Sequence, residues 1–416
     1  MDSSEPQNPP HAANEVQRQR GRTDAEPADY RFPRAFYVLA PLLSLAVSLA
    51  VIEAALRWVF PVPFAAESNM YYEPDPHTGF RLKPNSVGQF VGGLSAAVNR
   101  HGHRDAEVPV TKPAGEYRIL TLGDSFTMGA NVPQPAIYTE VLEDLLRQEI
   151  GGPIEVVNTG VGGWGPFQYA QYYEYYGRRF DPDLILVGFF VGNDAFSPAR
   201  STDEVLTAVR GRRVRPTERE RPQLELKIWL YAHSGLARLY FNRHLLTLTE
   251  RQLRPRQERR LKGGPERDSA SFTERYLGVQ RKRLQRIHRR ENEETRRQNR
   301  NAVAQIGRIQ TLAEKDAIPL LVVLIPDENQ VNRSLFEALV DTAQRDLYDL
   351  AMPQKLLHRM FAEQPIETLD LLPSFLADER RLYMNDTHWN EAGHRLAAGR
   401  IFDHIAPRVR RLAAAS

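Results

Sequence analysis

The chain has 416 residues, of which 42% are hydrophobic and 26% charged, and its formal net charge at pH 7 is only +3. This length suffices for one large elaborated domain or two smaller ones with a sizeable core. Cysteine is absent, which excludes disulfides, thiolate metal sites and a cysteine nucleophile.

The chain begins with a polar segment and continues with an apolar one. Residues 1–34 are rich in Pro, Asn, Gln, Arg and acidic side chains; because such a segment buries too little apolar surface to offset the entropy of ordering it, we predict a disordered tail. Residues 35–57 are mostly apolar and carry no charged side chain apart from Glu53 and Arg57. A run of about 20 residues at about 1.5 Å each spans a hydrocarbon core, and it exceeds the roughly 7–15 residues of a signal-peptide core. We therefore predict a retained transmembrane anchor at 35–57.

The orientation of this anchor follows from its flanking charges. Five arginines lie between residues 18 and 34, whereas Arg57 is the only Lys or Arg between Ile52 and Arg81. The positive-inside rule then predicts a cytoplasmic tail and a periplasmic or cell-surface location for everything after about residue 60. The membrane is thus an expected partner, through residues 35–57.

Beyond the anchor, residues 58–115 contain several Pro and Gly and little apolar periodicity, so we predict an irregular lead-in. Short apolar segments then alternate with helical patterns, which favours a doubly wound α/β sheet within a domain at 116–410. Leu184–Val191 is apolar almost throughout, as is typical of a strand covered on both faces. The predicted strands are 117–122, 154–157, 184–191, 319–325 and 366–369, and the predicted helices are 137–149, 168–179, 292–315 and 390–404.

Residues 201–295 interrupt this alternation, and basic side chains outnumber acidic ones there. Two interpretations stay open. The segment is either a solvated, basic helical insertion or a patch that binds anionic polymer or phospholipid headgroups. Nucleic acid is disfavoured as a partner because the predicted topology places this segment outside the cytoplasm. The oligomeric state is left open.

Four polar segments each follow a predicted strand or precede the last helix. Ser125, in Gly123-Asp124-Ser125, comes directly after the first strand, at the edge of the sheet where open α/β folds bind ligands. His388 lies near Asp386, so one ring nitrogen can be held while the other accepts a hydroxyl proton. Glycine backbone and asparagine side-chain N–H groups are suitable donors to an oxyanion; such groups occur at 158–163 and 192–194. Each segment alone is compatible with an ordinary turn or cap, but their common placement makes coincidence a poor explanation.

Together these segments resemble the SGNH hydrolases, also called GDSL esterases and lipases. The resemblance covers roughly residues 117–195 and 318–405. It implies a flavodoxin-like three-layer α/β/α sandwich with a five-stranded parallel sheet, and hydrolysis or transfer of an acyl group without a cofactor. By the same resemblance, Ser125 is the nucleophile, His388 the base and Asp386 the residue that orients His388. The oxyanion hole is implied to consist of the backbone N–H groups of Ser125 and Gly163 and the side chain of Asn193.

One departure from the family pattern bears on function. The acid usually lies three residues before the histidine, but here Asp386 is two before it and Asn385 fills the usual place. The spacing Asp386-x-His388-Trp389 is similar to the alginate-type O-acetyltransferase branch. Three functions stay open: an esterase acting on an acylated cell-surface or exported carbohydrate, an O-acetyltransferase acting on exopolysaccharide, and a non-catalytic glycan-binding or assembly protein.

Other polar residues near the predicted sheet edge are given structural roles. Asp124 and Asp194 are expected to hold loops as hydrogen-bond acceptors, and His394 to pack within the last helix. Asp327, Glu328 and Gln330 are expected to be solvated turn residues, with contact to substrate hydroxyls as the alternative. No His and carboxylate spacing such as His-Glu-x-x-His predicts a metal site.

Overall fold

The computed structural model describes residues 33–59, 72–89, 94–196, 207–209, 212–214, 272–384 and 386–413, with isolated positions between 226 and 240. Residues 1–32 of the predicted tail at 1–34, Asn385 and most of the basic insertion lie outside these residues. The chain divides into two compact units, Met1–Val62 and Pro63–Ser416.

In the first unit, helix α1 (Arg34–Trp58) matches the predicted anchor closely. It is long and apolar enough to cross a membrane, a property that signal sequences near an N-terminus share. Near the end of the helix, Glu53 forms an ion pair with Arg57, one turn later, at 2.6 Å. The negative charge of this carboxylate is therefore paired with a positive one.

In the second unit, the lead-in forms two short antiparallel strand pairs. They are β1 (Tyr72–Asp75) with β2 (Gly79–Leu82), and β3 (Ser86–Gln89) with β4 (Ser95–Val98). The prediction of an irregular lead-in was therefore wrong for these residues. Strands of four residues are too short to show a clear alternation of apolar and polar side chains.

The predicted five-stranded parallel sheet is confirmed. Its strands are β5 (Tyr117–Gly123), β6 (Ile154–Asn158), β7 (Leu184–Phe190), β10 (Leu320–Ile325) and β11 (Glu367–Asp370). Their spatial order is β6-β5-β7-β10-β11, with every neighbouring pair parallel. This is the flavodoxin-like order, which reverses direction next to β5.

The helices complete three layers. They are α2 (Ser125–Met128), α3 (Tyr138–Glu149), α4 (Pro166–Tyr175), α5 (Glu274–Ile287), α6 (Glu293–Lys315), α7 (Glu328–Val331), α8 (Arg333–Leu339), α9 (Met352–Ala362), α10 (Leu372–Ala377) and α11 (Glu391–Ala413). Side chains of α4, α6 and α9 share one buried cluster with Leu120 and Leu122, while α3, α10 and α11 share another with Ile119. Alternate residues of β5 thus face opposite helical layers, as the period of a strand requires.

The predicted helical insertion at 201–295 is not uniformly helical. Its described part contains a short antiparallel pair, β8 (Thr207–Val209) with β9 (Arg212–Val214). Its last helix, α5, packs onto the main domain through Tyr276 and Leu277, which contact Leu335 of α8. The basic character of the segment therefore does not make all of it a solvated face.

Candidate active site

Ser125 is the first residue of α2, at the carboxyl edge of the sheet. The Asp124 side chain caps this helix, accepting from the Phe126 N–H at 2.9 Å. A Cβ on Gly123 would lie only 1.9 Å from the Thr127 hydroxyl oxygen, so the turn from β5 into α2 requires glycine at this position. The turn leaves the N–H of Ser125 at the start of the helix, where backbone donors have no partner within the helix.

His388 meets Ser125 although 263 residues separate them. Its Nε2 lies 2.9 Å from the Ser125 Oγ. The neighbouring Trp389 is buried, and its ring lies 4.9 Å from that of Phe126 and 5.1 Å from that of Phe375. Because Trp389 is fixed in this aromatic cluster, the backbone of His388 is held at the edge of the sheet.

Asp386 contacts His388 in two ways. Its Oδ1 accepts from the His388 backbone N–H at 3.0 Å and lies 3.4 Å from the His388 Nδ1. The second distance is longer than an ordinary hydrogen bond, and no residue in the described part of the chain hydrogen-bonds to this nitrogen. The Asn131 side chain donates to the other carboxylate oxygen at 2.8 Å.

The glycines at 160–163 differ in what their N–H groups do. The N–H of Gly160 donates to the Asn158 side chain at 3.0 Å, and that of Gly162 to the Met128 sulfur at 3.3 Å. Among the described residues, none accepts from the N–H of Gly163, whose φ is +82°. Gly163 is therefore the member of this segment with a donor available, and Gly162 holds it against the helix that begins at Ser125.

Asn193 contacts Asp124, the residue before the proposed nucleophile. Its Nδ2 donates to the Asp124 carboxylate at 3.3 Å, which leaves a second N–H on the same amide. The adjacent Gly192 is closely packed, since a Cβ there would lie 2.8 Å from an oxygen of Asp327. The structure thus brings the sequence-predicted residues Ser125, His388, Asp386 and Asn193 to one edge of the sheet.

Asp124 and Asp194 hold loops, as predicted. Asp194 accepts from the Phe190 N–H at 3.0 Å and from the Tyr169 hydroxyl at 3.1 Å. Burial raises the pKa of Asp194 well above its usual range, and the charge of Asp124 adds to this effect. Burial likewise raises the pKa of Asp124, against the hydrogen bond from Phe126.

His394 is structural, as predicted. It is buried, and its Nδ1 accepts from the Tyr138 N–H at 3.2 Å. Burial lowers the pKa of His394 to about 3, so the ring stays neutral near neutral pH and remains an acceptor.

The expectation that Asp327, Glu328 and Gln330 are solvated was wrong. All three are at most 2% exposed. The Asp327 side chain caps α7 by accepting from the Glu328 N–H at 2.8 Å, and the Glu328 carboxylate accepts from the Tyr276 hydroxyl of α5. Helix α5 covers this edge, and no local sequence pattern indicates where the insertion folds back.

Two residues of the site were missed by the sequence reasoning: Asn131, on the Asp386 carboxylate, and Arg104. Arg104 is buried and donates to the carbonyls of Val132, at 2.6 Å, and of Met128, at 3.1 Å. It thereby fixes the loop that carries Asn131. Neither residue belongs to an apolar pattern or a recognised motif, so no sequence signal identified them.

A comparison with known protein families matches the C-terminal part of the chain. Residues 285–415 match the family model described as "SGNH hydrolase-like domain, acetyltransferase AlgX", which confirms the resemblance to SGNH hydrolases. The matched region includes Asp386, His388 and Trp389, whereas Ser125 precedes it. No curated protein sequence matches the chain.

Several solved esterase structures are similar at low identity. A two-domain esterase (CEX) active on acetylated mannans has 14% identity and a TM-score of 0.35, covering 72% of this chain and 51% of its own. This chain therefore spans about half the length of that esterase. An acetylxylan esterase, Axe2 of Geobacillus stearothermophilus, has 12% identity and a TM-score of 0.36, with coverages of 70% and 94%. A GDSL-like lipase of Bacteroides thetaiotaomicron has 11% identity and a TM-score of 0.33, with coverages of 70% and 88%.

Proposed function

We propose that this SGNH hydrolase-like chain is a serine enzyme that takes an acyl group from an ester onto Ser125 and passes it to a carbohydrate hydroxyl or to water. The observation that carries the proposal is the 2.9 Å contact between the Ser125 Oγ and the His388 Nε2. A hydroxyl within hydrogen-bond reach of an imidazole, itself beside a carboxylate, is the arrangement that activates a serine nucleophile.

In the first half-reaction, the Ser125 Oγ bonds to the acyl carbon while its proton moves to the His388 Nε2. The resulting oxyanion accepts hydrogen bonds from the N–H groups of Ser125 and Gly163 and from the Asn193 amide. The carbon–oxygen bond to the leaving group then breaks, and His388 returns the proton to the leaving oxygen. Asp386 stabilises the positive charge on His388 between these two steps.

In the second half-reaction, a new hydroxyl attacks the acyl-enzyme. Its proton moves to His388 and from there to the Ser125 Oγ, so the enzyme is restored. Water gives hydrolysis and a sugar hydroxyl gives transfer. We favour O-acetyl transfer to polysaccharide because the matched family model is that of an acetyltransferase and includes the Asp386-x-His388-Trp389 segment. Hydrolysis of an acylated carbohydrate is the second candidate.

The proposed place of this reaction is outside the cytoplasm. Helix α1 would anchor the chain in the membrane, and the arginines before it favour a cytoplasmic N-terminus. An exported or cell-surface glycan is the carbohydrate that an enzyme in this position would meet.

The test uses the full chain in detergent with an activated acetyl ester. Ser125→Ala should reduce ester cleavage on the order of a millionfold, as removal of a serine nucleophile does elsewhere. The control Ser334→Ala, at an exposed position on α8, should leave the rate unchanged. Intact-protein mass spectrometry should find an acetyl group on the wild-type protein and on Ser334→Ala, but not on Ser125→Ala.

Adding glycan acceptors separates the alternatives. Acetylated glycan as product supports transfer, whereas free acetate alone supports hydrolysis. Glycan binding without any labelling of Ser125 by a fluorophosphonate would leave only the non-catalytic alternative and overturn the proposal.

A further inference from the structure

We infer that Arg283, on helix α5 of the basic insertion, is a positioning residue that fixes the loop holding Asp386 and His388. This inference rests on the proposed function. Arg283 touches none of the reacting atoms, and its effect would pass through Thr387, the residue between the proposed acid and base.

The contacts of Arg283 join the insertion to this loop. One terminal nitrogen, Nη1, donates to the Thr387 hydroxyl at 3.1 Å and to an oxygen of Asp327 at 3.1 Å. The guanidinium carbon lies 5.1 Å from the centre of the Phe190 ring, over its face. The side chain is only 13% exposed, so these contacts are largely shielded from solvent.

Thr387 needs such support because of its backbone. Its φ is +92°, and a β-branched residue with positive φ is sterically disfavoured. A residue in such a conformation persists only where its surroundings hold it. The hydroxyl bond from Arg283 secures Thr387 itself, while the bonds to Asp386 and from the His388 N–H secure its two neighbours.

Arg283 is itself held by buried polar groups. Its partner Asp327 is bonded by the Asn329 side chain at 3.3 Å and caps α7. One turn before Arg283 on α5, the Gln280 side chain accepts from Asn329 at 3.0 Å. Helices α5 and α7 are thus tied together beneath the guanidinium, so its position relative to Thr387 is defined.

Arg283 is also connected to the His388 imidazole by a series of contacts between aromatic rings. The Phe190 ring under Arg283 lies 4.4 Å from the Phe126 ring, which lies 5.5 Å from the His388 ring. Arg283 therefore borders both the loop that carries His388 and the wall against which its ring packs. The insertion would complete the active site of this chain rather than form a separate module.

The test is a double-mutant cycle on the full chain with Arg283→Met and Thr387→Val. Methionine keeps the apolar stem over Phe190, and valine keeps the shape of threonine without its hydroxyl. Each single variant should lower kcat by about 10- to 100-fold, because small displacements of reacting groups cost this much, with KM changed by less than about threefold. Since both changes remove the same bond, the double variant should be no slower than the slower single variant.

Two further variants sharpen the test. Arg281→Met, on the same helix but paired among the described residues with the exposed Glu274, should have no effect. Arg283→Lys should recover part of the lost kcat, because an ammonium group can still donate to Thr387. If circular dichroism shows that Arg283→Met unfolds the protein, the kcat of Thr387→Val is the test instead. A wild-type kcat in Thr387→Val would then overturn the inference.

Contrary results are distinguishable. Wild-type kcat in Arg283→Met, or fully additive losses in the cycle, would overturn the inference while Ser125→Ala still supports the proposed function. Activity that survives Ser125→Ala, or that wild-type protein lacks altogether, would overturn both.

Discussion

Asp386 lies only two residues before His388, and this short spacing determines what its carboxylate does. One oxygen faces both the backbone N–H and the Nδ1 of His388, and Asn131 holds the other. Burial acts to raise the pKa of Asp386, but the nearby His388 side chain, the His388 backbone N–H and the Asn131 amide outweigh it, so the pKa lies below its usual range. The carboxylate is therefore ionised at neutral pH and available to stabilise an imidazolium.

Asp386→Asn tests this role. The amide has the same size but no charge, so we expect kcat to fall on the order of a thousandfold or more, with KM little changed. Steady-state kinetics at several pH values would measure both. Asp341→Asn, at an exposed position, is the control. A loss below about tenfold would show that the carboxylate charge does not assist the base.

Strand β6 forms one edge of the sheet, where backbone N–H groups are open to another chain. In this protein, carboxylate side chains accept hydrogen bonds from two of these backbone N–H groups. Glu143 of α3 accepts from the Val156 N–H at 2.7 Å, and Asp105 accepts from the Asn158 N–H at 2.8 Å. Burial raises the pKa of Glu143 to about 7, and the negative charge of Glu155 also acts to raise it. The hydrogen bond from the Val156 N–H acts in the opposite direction.

This edge should make stability depend on pH. Between about 4.3, the pKa of an unfolded glutamate, and about 7, the native state holds a proton on Glu143 that the unfolded state releases. The free energy of unfolding should therefore rise as the pH falls through this window.

The quantity to measure is the difference between the free energies of unfolding at pH 5 and pH 7.5, obtained by urea unfolding. Glu143→Gln should reduce this difference by about 1–3 kcal/mol. Glu149→Gln, exposed on the same helix, should not. An unchanged pH dependence in Glu143→Gln would show that this carboxyl is not protonated in the folded protein.

At the scale of the whole molecule, the proposed topology can be read directly because the chain contains no cysteine. A single introduced cysteine is therefore the one thiol in this chain that a maleimide can label. We expect a membrane-impermeant maleimide, applied to cells with a permeabilised outer envelope, to label Ala377→Cys on α10. It should label Ser4→Cys only after the inner membrane is disrupted. Labelling of both positions in intact spheroplasts would contradict a cytoplasmic N-terminus.

The sheet and the apolar helix α1 were determined largely by local sequence. A strand covered on both faces must be apolar almost throughout, and Leu184–Val191 shows this without any knowledge of its neighbours. The length and apolar composition of α1 are likewise properties of one continuous segment. Ser125 could be placed because a residue that directly follows a strand must lie at the edge of the sheet.

What only the tertiary structure decided depends on contacts between distant segments. Asn131 meets Asp386 across 255 residues and Arg283 meets Thr387 across 104, and no local pattern encodes such pairs. The choice of Gly163 over Gly162 came from the family resemblance, and only the structure shows that the N–H of Gly162 already donates to Met128. The burial of Asp327 and Glu328 follows from α5 folding over them, because whether a polar side chain is solvated depends on what covers it and not on its own neighbours in sequence.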